Sequence, residues 1–218
     1  MKRLLSTLAA AALLSGSLGL PALSDEAAGA YLAARQARYE SDYAAAAEYL
    51  TQALIKDPSN PELLDFTAAA FVSLGRIDKA IPVAHRVESI TAGSQIANMT
   101  LVAEMVREGD FDGVLQRVAD NSAISPLADG LLAAWANLGK GDMTRALELF
   151  DAVMQEPGLT DFAAYHKALA LASVGDFESA AAIYSGEANG PVQTTRRGTI
   201  AWAEALSQLE RNDDAVKV

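Results

Sequence analysis

Two histidines, His85 and His166, come first when the chain is searched for chemistry, because imidazole titrates near neutrality and ligates metals. They stand 81 residues apart and neither has a second histidine at helical spacing, so no convergent set of metal ligands is in view. Paired acids, Asp110 with Asp112 and Asp213 with Asp214, could in principle share general acid and base roles. They fall where helices are expected to begin, and capping and the positive end of the helix dipole account for them. Serine hydrolysis would need a strained G-x-S-x-G turn, and none occurs. "GSLGL" (16–20) belongs to the leader, and no glycine-rich phosphate loop follows it. The chain has no cysteine, which removes disulfides, thiolate zinc sites and thiol nucleophiles. No catalytic residue, metal ligand or cofactor is expected, and the chain reads as non-enzymatic. Arg35 and Arg38 could clamp a carboxylate bidentately, although a solvated helix face explains them about as well.

The elements that must carry such residues are legible from composition. The 218 residues suffice for one or two domains, and 51% hydrophobic content allows a substantial core. Aromatics are only 6% while alanine is abundant, which favours close-packed helices over a sheet sandwich. The formal charge is −11. A nucleic-acid partner would need a basic face, so that class is not expected, and an anionic membrane surface is disfavoured for the same reason.

The first segment reads as an address. Lys2 and Arg3 precede a leucine- and alanine-rich run to about Leu14, then Gly16, Gly19 and Pro21, then small residues at Ala22 and Ser24. That is the layout of a secretory signal over residues 1–24, with cleavage expected after Ser24. A membrane anchor is the competing reading, but the apolar run falls short of the ~20 residues a spanning helix needs. Loss of Lys2 and Arg3 from 17 basic residues against 28 acidic leaves a formal −13. Residues 25–218 are expected to form an exported chain without stable membrane insertion, periplasmic in a bacterium, with secretion as the alternative.

A period near 34 residues runs through that chain. Ala46, Ala80, Val114, Ala146, Ala180 and Ala215 recur at spacings of 34, 34, 32, 34 and 35. Five residues before them stand Ser41, Gly75, Gly109, Gly141, Gly175 and Glu210; three before stand Tyr43, Ile77, Phe111, Met143, Phe177 and Asn212. Four after the first five come Leu50, Ala84, Val118, Phe150 and Tyr184. The glycine column ends one helix in a left-handed residue, and the acids Asp42, Asp110, Asp142 and Asp176 cap the next. The apolar residue, the alanine and the later column fall at i, i+3 and i+7 on one helix face, the core. Prolines at 58, 126, 157 and 191 punctuate the other ends, and Pro82 is expected within the first turn or so of its helix. Helices of about 12–15 residues in stacked pairs explain the fixed period. Val114 in the alanine column marks the third copy as irregular or marginally packed. At the end, the last helix is expected to leave Leu206, Leu209, Ala215 and Val216 exposed, as though the natural chain continues.

With "ESDYAAAAEYLTQALIKDPSNPELL" (40–64) as its best copy, the chain resembles the tetratricopeptide repeat family. The resemblance implies an all-α, right-handed solenoid of antiparallel helix pairs, about five and a half repeats. It also implies that the first helix of each pair lines a concave face that carries a peptide or protein partner. On that face it places Tyr31, Arg35, Arg38, Tyr39, Phe66, Met99, Trp135, Phe162, Tyr165 and His166, although for Phe66, Trp135 and Phe162 a place in the inter-repeat core is favoured over partner contact. The function expected is an exported scaffold for such a partner. The alternative is an assembly module of a larger envelope protein whose downstream region carries a separate activity.

Overall fold

The computed structural model describes residues 23–120, 124–188, 190, 192–193 and 195–218. Most of the leader, residues 1–22, and Pro191 lie outside them, and the expected cleavage point after Ser24 falls at the start of the first helix. Among the described residues every element is a helix. They are α1 (Leu23–Tyr39), α2 (Tyr43–Lys56), α3 (Pro61–Ser73), α4 (Ile77–Ile90), α5 (Gln95–Glu108), α6 (Phe111–Ala119), α7 (Pro126–Gly139), α8 (Met143–Met154), α9 (Thr160–Ser173), α10 (Phe177–Ser185), α11 (Arg196–Gln208) and α12 (Asn212–Ala215).

The turn inside each pair has one geometry. Gly75, Gly109, Gly141 and Gly175 are left-handed at φ 68°, 76°, 84° and 89°, and Ser41 and Glu210 adopt the same conformation at φ 60° despite their side chains. The next amide bonds back to the carbonyl five residues earlier in all six copies, for example Asp42 to Ala37 at 2.8 Å and Arg211 to Leu206 at 2.9 Å. These bonds satisfy carbonyls that the end of a helix otherwise leaves orphaned. The acid then caps the second helix: Asp42, Asp110, Asp142 and Asp176 accept from the amides of Ala45, Gly113, Arg145 and Ser179 at 2.9–3.1 Å. Arg76 and Arg211 hold that place without a side-chain cap.

Packing follows the columns. Ala46, Ala80, Val114, Ala146 and Ala180 have no exposed surface, and Phe150 is equally buried. The buried residues form five clusters, each drawn from three consecutive helices: α1–α3, α3–α5, α5–α7, α7–α9 and α8–α10. First helices also touch one another, α3 with α5, α7 with α9 and α9 with α11. In a curved stack the layer whose members approach each other is the inner one, so α3, α5, α7, α9 and α11 fall on the inner side.

Four expectations change. Pro82 is the sixth residue of α4, beyond its first turn, where its missing N–H costs the bond to the Asp78 carbonyl. The third copy is short, not loosely packed at Val114: α6 has nine residues, and Val114 joins Val102 and Ala136 in a common core. The Phe111 ring lies so close to Gly139 that a Cβ there would meet it at 2.5 Å. Helix lengths run outside 12–15 residues, with α10 also at nine. Leu206 is 3% exposed where α11 packs against α10, whereas of the other three residues expected to be exposed Leu209 and Ala215 are half-buried and only Val216 is open.

Candidate partner-binding surface

The ten residues placed on the concave side fall into two groups and one outlier. At the α1 end, the Arg38 guanidinium carbon sits 3.6 Å from the centroid of the Phe66 ring on α3. Arg35 lies 5.9 Å from the Tyr31 ring, and the Tyr31 hydroxyl donates to Glu62 Oε1 at 2.8 Å. That hydrogen bond, with desolvation and the Glu62 charge, raises the Tyr31 pKa. Neither arginine has a carboxylate partner among the described residues, so their N–H edges are available to an acceptor. Tyr39 is 87% exposed and, with Arg35, Arg38 and Tyr43, bounds an open depression of about 340 Å³.

Around α9 the second group is more enclosed. Trp135 on α7 meets Phe150 edge-on at 5.8 Å and His166 at 6.1 Å. Its indole N–H donates to His166 Nδ1 at 3.1 Å, which puts the proton of a neutral ring on Nε2. Burial lowers the His166 pKa, so the neutral ring is favoured. Tyr165 stands edge-on to His166 at 5.2 Å and tilted to Tyr184 of α10 at 6.4 Å. Phe162, one turn earlier on α9, is 53% exposed. Met99 on α5 is also open, and stands between the two groups.

A cleft of about 210 Å³ opens beside Phe162. Asp161, Phe162 and Tyr165 supply one wall, Tyr184 another, and Val192, Gln193 and Thr195 of the connection to α11 the third. Tyr184 is 3% exposed, and its hydroxyl has no hydrogen-bond partner among the described residues. Burial first, then Tyr165 and Glu204, push its pKa far up and keep it protonated. The sequence assigns Tyr184 to the core column only. The readable signal is a hydroxyl in a column otherwise filled by Leu50, Ala84, Val118 and Phe150.

A larger cleft of about 390 Å³ lies against α10, α11 and α12, near Trp202 and Leu206. Hydrogen bonds from Lys217 and Arg211 hold the Asp214 carboxyl there below its ordinary range. His85 lies elsewhere, 3.1 Å from Glu104 on the surface. Among the described residues no three His, Asp or Glu side chains converge as metal ligands, and no helix is long and apolar enough to cross a membrane.

The family model of the tetratricopeptide repeat matches residues 37–103. No curated protein sequence matches the chain. Among solved structures the fold is similar to MamA (residues 41 to the end) from Desulfovibrio magneticus RS-1, with a TM-score of 0.61 at 18% identity over 74% of this chain and 92% of that one. It is also similar to Pseudomonas aeruginosa pilF, with a TM-score of 0.59 at 14% identity over 89% of each chain. At these identities the likeness concerns the fold. Residues 37–103 match the tetratricopeptide repeat, and the 34-residue columns and the six turns of one geometry carry a similar pattern through the rest of the described helices.

Proposed function

We propose that the protein is an exported, non-catalytic scaffold that holds a peptide or protein partner against its concave face. The observation that carries this reading is the display on the inner helices. Arg35 and Arg38 lack carboxylate partners among the described residues, Tyr39 and Met99 are exposed, and Phe162 is exposed one turn from the edge-on Tyr165–His166 pair. Large aromatic and arginine side chains supply most of the energy where proteins bind each other, and a surface that leaves them uncovered favours a partner. The leader at residues 1–24 supports export, and a bacterial periplasm suits its layout.

Crosslinking in the producing cell tests the scaffold. A photoreactive phenylalanine analogue placed at Phe162 or Met99 is expected to capture a discrete partner, and the same analogue at Ile55 is not. Ile55 is 73% exposed on α2, in the outer layer, and controls for accessibility. Equal capture from both faces would defeat the concave reading. N-terminal sequencing of the mature chain tests export, with Asp25 expected as the first residue.

A further inference from the structure

The cleft beside Phe162 has a chemistry more specific than a general interaction surface. Three aromatic residues, Phe162, Tyr165 and Tyr184, line it together with one carboxylate, Asp161. Aromatic faces attract cations within about 6 Å of the ring centroid, most strongly where water is thinned out. Asp161 lies in the first turn of α9 with no ion-pair partner among the described residues. Glu204 adds negative potential near Tyr184. Among the described residues no lysine or arginine lines the cleft, and burial disfavours charging His166 behind Tyr165.

These features discriminate among ligands. An anion would meet Asp161 without a basic residue to receive it. A purely apolar side chain would desolvate Asp161 without giving it a partner, which is costly. A cation bearing N–H groups satisfies the carboxylate and the rings together. A formal −11 for the chain also draws basic segments from a distance. We infer that this cleft takes the cationic side chain of a basic peptide segment, a guanidinium or primary ammonium held between Asp161 and the rings of Phe162 and Tyr165. The inference names the partner's chemistry at the α9 end of the concave face and rests on the scaffold reading.

The test uses the full mature chain with labelled aromatic rings, titrated by NMR in about 0.15 M salt to screen diffuse attraction to the acidic surface. The probes are N-acetylarginine methylamide and its neutral near-isostere, N-acetylcitrulline methylamide. The arginine probe is expected to shift the Phe162, Tyr165 and Tyr184 signals saturably and to bind about tenfold tighter than the citrulline probe. Phe162→Ala and Asp161→Asn, both surface changes, should each weaken arginine binding about fivefold or more. Far-UV circular dichroism confirms that each variant is folded. Equal binding of the two probes, or arginine binding indifferent to both Phe162→Ala and Asp161→Asn, would overturn the inference. A partner captured from Phe162 alongside equal probe binding would leave the scaffold standing and remove only the cationic specificity. Selective arginine binding with equal capture from both faces would do the reverse.

Discussion

The six identical turns allow backbone strain to be separated from every other effect of a substitution. Gly141 has φ 84°, and a Cβ built on it meets nothing within 4 Å. Gly141→Ala therefore adds no clash and removes no contact. A side chain in the left-handed region costs about 1–2 kcal/mol, and the stiffer unfolded chain of alanine returns about 0.4–1 kcal/mol. The net expectation is a loss of roughly 0.5–1 kcal/mol. Ser41 sits in the same turn at φ 60° with its side chain present, so Ser41→Gly reverses both terms and should stabilise by roughly the same amount. Gly29 supplies the control: it lies within α1 with the same open space around its Cα and no positive φ, so Gly29→Ala should stabilise by about 0.5–1 kcal/mol. Urea unfolding reads all three as midpoint shifts at constant slope. The reasoning is refuted if Gly141→Ala and Gly29→Ala change stability in the same direction, or if Ser41→Gly destabilises.

Three further outcomes follow from the packing and the site. Ala146→Leu forces a larger side chain into a position with no exposed surface beside Phe150 and should cost about 1–3 kcal/mol in the same assay. Asp176→Ala removes the cap on the Ser179 amide and should cost about 0.5–2 kcal/mol, whereas Asp176→Asn keeps an acceptor there and should recover most of it. His166 titrates below its ordinary value of 6.5 because burial favours the neutral ring. The unfolded chain therefore takes the proton first, so the stability from neutral His166 is complete above about pH 6.5 and falls as pH drops toward the folded pKa. His166→Gln should flatten that portion of the stability profile measured by urea unfolding, and an unchanged profile would remove His166 as its cause.

Much of the architecture is legible residue by residue because each repeat column serves a local need. A residue that must close a helix, an acid that must cap the next and an alanine that must admit a neighbouring backbone all act within a few positions. That is why Ser41 and Glu210 could be aligned with four glycines and share their left-handed backbone. Pro82 was less legible, since a sequence marks where a helix can start more clearly than how far inside a proline will fall. Leu206 was misplaced because its helix, α11, packs against α10 of the preceding pair. The candidate site was legible only as a set of residues on one layer. Its division into an Arg38–Phe66 end and a Trp135–His166 end depends on side chains meeting across repeats, about thirty positions apart in sequence. The Tyr184 hydroxyl escaped for a related reason: a column identifies a core ring and says nothing about whether its oxygen finds a partner.

The five cores, each confined to three neighbouring helices, also make the molecule mechanically compliant. No single hydrophobic centre fixes the distance between the Arg38 end and the Trp135 end, so small rotations at successive interfaces sum to a change in curvature of the whole arc. The arc behaves as a spring whose stiffness is set at its junctions. A partner that spans both ends can therefore be gripped by bending the array, with the strain shared among several interfaces while each helix pair stays rigid.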